Sequence, residues 1–449
     1  ARAEADDNSD NSSSENGNAA IYAACDLKLV GKGALSVTGN YNNGIQSKDD
    51  ISIKNVTIKV NAVNNAIKGN DEVAIESGEI IAISRKGDGI KTSNSSLSTK
   101  GKQKGNVIIS GGNIDIYAAC DGIDAAYGVD VSGDGNLNIY TDTYSDYSEA
   151  VAADNSGSSA SSVGTPPDMN NTQNNGNMGN PPDMNNSSSN PGMKGNFGGG
   201  NGAANGMPGN NSSGNSSKKS YSTKGIKAES EINISGTAIN ISSTDDGIHA
   251  NSDSGVLETG EDGKGIISIS GGTITISTGD DGIHADKELN ITDGYINVLT
   301  SYEGLEAITI NISGGQSFIY ASDDGINACT GDGSSTPLIN ITGGYVDVTT
   351  GSGDTDGIDS NGSYTQSGGM VLVKGGSSSG QVSGSIDVDG NITITGGTCV
   401  ALGGICETPV NSVNAYVFSS VSFNAGSYSV KDSSGNEIIS FTLNNSYSN

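Results

Sequence analysis

The carboxylates Asp280 and Asp281, followed by Gly282, Ile283, His284 and Ala285, are the group in this sequence best suited to chemistry. The pattern recurs as Asp245-Asp246-Gly247-Ile248-His249-Ala250 and as Asp323-Asp324-Gly325-Ile326-Asn327-Ala328. Variants are Tyr302-Glu303-Gly304-Leu305-Glu306-Ala307, Asp121-Gly122-Ile123-Asp124-Ala125 and Asp356-Gly357-Ile358-Asp359-Ser360, the last preceded by Asp354. Doubled acids, with a further acid two residues past the glycine, supply only oxygen ligands. That is the donor set of a hard divalent cation, and Ca²⁺, which takes six to eight oxygens, fits it. Three clusters stand out: Glu303, Glu306, Asp323 and Asp324; Asp245, Asp246, Asp280 and Asp281; and Asp354, Asp356 and Asp359. Aspartate also simply suits a tight turn facing water, and the sequence alone leaves both readings open. His249 and His284 hold equivalent positions and are expected to project outward beside the acids. With no cysteine near, a structural or solvated pair is favoured over a zinc site. No HExxH, GxSxG or P-loop pattern occurs.

The elements that position these acids follow from their spacing. The motif glycines step by 22 residues (44 to 66, where alanine stands in; 225 to 247; 282 to 304), by 23 (66 to 89) or by 21 (304 to 325). Longer steps fit one period plus an inserted loop. A second signature, Gly111-Gly112, Gly271-Gly272, Asp293-Gly294 or Gly314-Gly315, ends 10 residues before the motif glycine (for example 112 to 122). Between the turns, residues alternate apolar and polar, as in Ile266-Ile267-Ser268-Ile269-Ser270 and Thr273-Ile274-Thr275-Ile276-Ser277. Three short strands per coil of about 22 residues, repeated about a dozen times, predict an all-β fold: a right-handed parallel β-helix. At about 4.8 Å per rung the rod would be roughly 60 Å long. Glycine and aspartate are expected at the corners for positive φ or side-chain-to-backbone turns, with Ser, Thr, Asn and Asp pointing outward. Stacked acidic corners would then repel by roughly 1 kcal/mol per pair even in bulk water, which calls for counter-ions.

Composition agrees with a thin-cored solenoid. The chain has 449 residues with 67 glycines, no tryptophan and 33% hydrophobic content. Its net charge is -29, and Arg2 and Arg85 are its only arginines, which argues against a nucleic-acid partner. No apolar run of 18 residues occurs, so no segment reads as a membrane span. No signal peptide is evident, so a secreted protein would be the mature form. Of the five cysteines, Cys399 and Cys406 are close enough in sequence for a local bridge. Cys25 and Cys120 are read as about four rungs apart, and Cys329 as a small core filler.

Taken in order, residues 1–18 read as a disordered polar segment and 19–153 as the first part of the β-helix. Residues 154–223 are an inserted low-complexity loop in which Pro-Pro-Asp-Met-Asn occurs twice, at Pro166 and at Pro181. The β-helix resumes over 224–400. Residues 401–449 read as a C-terminal β-hairpin cap covering the coil end and its edge groups. Both chain ends look trimmed, as in a processed or partial chain. Tyrosine faces suit a glycan: Tyr295 and Tyr345 follow the glycine corner on one strip, while Tyr140, Tyr144 and Tyr147 cluster before the insertion. Lys100, Lys102 and Lys104 form the densest basic spot and could attract an anionic sugar.

The motif runs 245–250, 280–285, 301–307 and 322–328 resemble those of the cell-surface carbohydrate-binding β-helix proteins of Gram-positive anaerobes. The resemblance covers 19–153 and 224–449. It implies a secreted, extracellular or cell-surface protein that binds calcium at the acidic corners, with plant cell-wall polysaccharide such as polygalacturonate or cellulose as partner. It also implies a fold like that of the calcium-dependent pectate lyases. Three functions therefore stand: non-catalytic, calcium-dependent polysaccharide binding, which leads; end-to-end self-association of rods into a filament; and a pectate lyase. A lyase would need a Lys or Arg base, for which Lys227, Lys264 and Lys287 are the nearest to acidic corners.

Overall fold

A computed structural model describes residues 18–141, 222–252, 264–330, 335–353, 355–375, 384–407, 409–412 and 421–448. Residues 1–17, the inserted loop up to 221, Tyr144, Tyr147, Asp354 and 413–420 of the C-terminal cap lie outside them. The described residues form a parallel β-solenoid, all β, with three strands per coil and parallel strand ladders between coils. Among the described residues no helix is long and apolar enough to cross a membrane.

One ladder shows the winding. Ile21, Ile45, Ile67, Ile90, Ile123, Ile226, Ile248, Ile283, Leu305, Ile326, Ile358 and Ile386 pair rung to rung without a break. From Ile45 to Ile358 each is fully buried, and each such side chain contributes about 2 kcal/mol relative to exposure. Ile123–Ala125 pairs directly with Ile226–Ala228, so the coil continues across the insertion as the next rung. In the middle of the rod the corners are tight enough that strand bonding runs round them, giving the long bent strands Ile266–Ser277 and Ile283–Thr300.

The two glycine signatures have different causes. Gly315, of the second signature, has φ +74°, a left-handed turn that glycine adopts without penalty. Gly325, the motif glycine, needs no unusual φ. A Cβ there would sit 2.1 Å from Val348 Cγ1 and 2.7 Å from the Gly357 carbonyl oxygen. The motif glycine is thus required by close approach to the core and to the next coil, not by the positive φ expected from the sequence.

The C-terminal hairpin pairs Gly426–Lys431 with Glu437–Leu443 in antiparallel fashion. Asp432 Oδ1 closes the turn by accepting from the amides of Ser434 and Asn436, each at 2.8 Å. Leu443 and Tyr447 bury against Leu402 and Val400, which lie on the outer side of the last third-strand rung, as their pairing with Lys374 and Leu372 shows. The hairpin therefore packs on the flank of the final coils, apart from the main core.

Candidate functional site

At five corners the acid just before the motif glycine does not face water as the turn reading expects. Asp88, Asp121, Asp246, Asp281 and Asp356 are buried. Each lends an oxygen to the next coil. Asp88 Oδ1 accepts the Asp121 amide at 3.1 Å, and Asp121 Oδ1 the Lys224 amide at 2.8 Å. Asp246 Oδ1 accepts the Asp281 amide at 3.2 Å, Asp281 Oδ1 the Glu303 amide at 3.3 Å, and Asp324 Oδ1 the Asp356 amide at 2.7 Å. At the start of the rod Asn65 does the same for Asp88, at 2.9 Å. A corner amide without such an acceptor would be a buried orphan, which explains the recurrence of Asp and Asn at this position.

Each carboxylate shares its charge over both oxygens, and in the lower rungs lysines neutralise much of it internally. Lys91 lies 3.1 Å from Asp88 and 2.8 Å from Asp124. Lys227 pairs with Glu229 at 2.9 Å and lies 3.8 Å from Asp124. Lys224 contacts both Asp245, at 3.0 Å, and Asp246. Ligand atoms of Asp88, Asp121 and Asp124 lie within 4.8 Å of one another, as do those of Asp245, Asp246 and Asp280. Burial and the neighbouring Asp88 push the Asp121 carboxyl up to about 8.

The histidines continue this scheme inside the wall. His249 is buried rather than projecting. Its Nδ1 lies 2.5 Å from Asp246 Oδ2 and its Nε2 3.1 Å from Asp286 Oδ1. Burial opposes its charge, but the bonds to Asp246 and Asp286 prevail and lift it to about 9, so it is an imidazolium at neutral pH. His284 stacks on it, ring centroids 4.3 Å apart, with Nδ1 3.2 Å from both Asp281 and Glu306. With both nitrogens of His249 engaged by carboxylates, the pair acts as a cationic step in the column.

Above this point compensation stops. From residue 288 to 407 the sequence has fourteen Asp and Glu residues, and Lys374 is the sole Lys, Arg or His. Glu303 lies close to Glu306, Asp281 and Asp324; burial first, then Glu306, pushes it up to about 8. Asp359 is pushed up to about 7 by burial and by Asp324, Asp356, Asp387 and Asp389. On the histidine rung below, Asp280, exposed on its outer side, also rises to about 6 through partial burial and Asp281. Asn327 donates to Glu303 Oε2 at 2.8 Å, while its own buried amide oxygen has no hydrogen-bond partner. Cys329 is no core filler: its thiol donates to Glu306 Oε1 at 3.1 Å. None of the five cysteines, all among the described residues, forms a disulfide, Cys399 and Cys406 included.

These raised carboxyls imply a pH dependence. They ionise near pH 4 when unfolded and near 7 to 8 when folded, so folding favours their protonated form. Protein stripped of divalent ions should therefore lose stability as pH rises from about 5 to 8. His249 adds to the loss between its unfolded value near 6.5 and about 9. A fall in melting temperature of several degrees over that window is expected in EDTA; a flat profile would contradict the shifts.

Aromatic side chains line the outer side of the third strands. Tyr295, which is 40% exposed, and Tyr345 lie in one column two rungs apart, paired through Gln316. Phe318 fills the gap between them, with ring centroids 5.3 Å from Tyr295 and 5.6 Å from Tyr345. Sequence reasoning missed Phe318, although its alternation with Ile319 marks it as outward. It also passed over Tyr302, an exposed ring on the acidic corner bonded to Asp323. Tyr140 stacks on Tyr117 at 5.1 Å, farther down the rod. The basic spot is partly consumed locally: Lys102 pairs with Glu72 at 2.8 Å and Lys104 with Asp71 at 2.6 Å, while Lys100 is exposed.

Neither the curated proteins nor the solved structures contain a match to this chain. A family of carbohydrate-binding domain-containing proteins does match it, over residues 2–261 and 256–354, which takes in the acidic column as far as Asp324 and the stripe from Tyr295 to Tyr345. On that match, together with the solenoid it falls on, the chain belongs to the carbohydrate-binding domain-containing protein family.

Proposed function

We propose that the protein acts outside the cell as a calcium-dependent, non-catalytic binder of plant cell-wall polysaccharide. The observation that carries this reading is the run of uncompensated acids in the upper coils, crowded enough to hold Glu303 and Asp359 partly protonated at neutral pH. A divalent ion would remove that penalty. The donors suit Ca²⁺: carboxylates of Glu303, Asp324 and Asp359, with Glu306, which also meets His284, and the unpartnered amide oxygen of Asn327, are all hard oxygens. At Asp124, Asp245 and Asp246 lysines already supply countercharge, so we assign the ion to the upper rungs. Bound calcium would let an anionic rod meet an anionic uronate, carboxylate to carboxylate. Tyr302 stands at the same corner, and the Tyr295–Phe318–Tyr345 shelf offers apolar faces to a neutral glucan such as cellulose. A lyase is disfavoured: of the candidate bases Lys227 is paired with Glu229 and Lys264 with Glu231, Lys287 lies exposed below these coils, and the one cation within them, Lys374, is buried against Asp347.

Affinity electrophoresis tests this. With calcium, polygalacturonate in the gel should retard the wild type; EDTA, or Glu303→Gln with Glu306→Gln, should abolish the retardation. Equal migration with and without chelator would refute the calcium dependence.

A further inference from the structure

Lys374 is unlike the half-buried lysines of the lower rungs. Lys91 and Lys224 each sit between two carboxylates, which hold their ammonium groups charged. Lys374, 6% exposed, meets a single one among the described residues: its Nζ contacts Asp347 Oδ1. The surroundings are apolar. Along its column Asp347 lies between Phe318 and Leu372, and Leu372 is 1% exposed. Lys374 is followed by Leu402, which buries with Leu443 and Tyr447 of the C-terminal strands. The hairpin flank thus roofs the pair. Tyr345 reaches in from the side, its hydroxyl 3.5 Å from Asp347 Oδ2.

An ion pair in such a compartment loses much of its hydration, and Coulomb attraction repays this poorly. Moving the proton from Nζ to the carboxylate leaves a neutral amine and a carboxylic acid. Burial works towards the acid form of Asp347, holding its carboxyl above the usual range despite Lys374 beside it. The amine lone pair then stands against a carbonyl carbon, fixed by two neighbouring strands, where a condensation that is slow in water becomes intramolecular.

We propose that Asp347 and Lys374 join spontaneously in an isopeptide bond between consecutive coils. The Nζ–Cγ bond forms and the Cγ–OH bond breaks. The hydroxyl leaves with an amine proton as one water, so no oxidant, reductant or other reactant is needed. Tyr345 assists by donating to the carboxyl oxygen that turns negative at the tetrahedral stage. The product staples two coils beside the hairpin, where the solenoid would otherwise fray.

Intact-mass spectrometry of the full chain decides the matter. The wild type should weigh less than its sequence by one water, and a digest should yield a branched peptide joining Asp347 to Lys374. Lys374→Met and Asp347→Ala should show the full sequence mass, and Tyr345→Phe should accumulate the cross-link more slowly after synthesis. Wild type at full mass after prolonged incubation would overturn the proposal. So would a water loss that persists in Lys374→Met, which would mark a backbone succinimide.

Discussion

Lys91→Met should destabilise the protein by about 3–5 kcal/mol at neutral pH, the range for a buried ion cluster that loses one partner. Lys91 touches both Asp88 and Asp124, and all three are mostly shielded from water. Methionine keeps the stem of the side chain and removes only the charge. Asp88 and Asp124 would then face each other across two rungs without their shared cation. Lys227, 3.8 Å from Asp124, relieves part of this. Protonating the two acids relieves the rest, so the loss should shrink as pH falls towards 4. Urea unfolding of both proteins at pH 7 and pH 4 measures it. A loss equal at both values would mean that methionine fails by packing rather than by charge.

Gly325→Ala should cost about 3 kcal/mol or more, a large effect for one methyl group. The new Cβ would lie 2.1 Å from Val348 Cγ1, which can move, and 2.7 Å from the Gly357 carbonyl oxygen, which the ladder fixes. That oxygen takes the Ile326 amide at 3.2 Å, so relieving the clash breaks the bond to the next coil. Gly33→Ala, with nothing within 4 Å of the added carbon, is the matched control and should stay within about 0.5 kcal/mol of wild type. Equal midpoints for the two variants would show that the motif glycine is not needed for space.

The contrast between these sites explains what could be read from sequence. The coil was legible because its constraints are local: Ile283 and Ala285 point inward, Gly315 turns the corner, and the pattern repeats at a near-constant step. The direction in which the acids point was not, because their partners sit one coil away at variable sequence distance. Asp121 accepts from Lys224 across 103 residues, and Asp246 from Asp281 across 35. Spacing that reveals a period gives no sign of which oxygen faces the next coil. Asp387 and Asp389 were passed over as candidates for the same reason: they join Asp359 only when the coils are stacked. Tyr295 and Tyr345 were recognised as one strip, but Phe318, offset by a column, needed the register to be seen as their bridge.

The most direct measurement is a calorimetric titration of EDTA-stripped protein with CaCl₂ near pH 8, beside the Glu303→Gln, Glu306→Gln double variant. Saturable binding by the wild type, weakened roughly tenfold or more in a variant that remains folded, is the predicted result. No binding heat in the wild type, or an affinity indifferent to the two substitutions, would contradict the assignment of the upper acids to a cation.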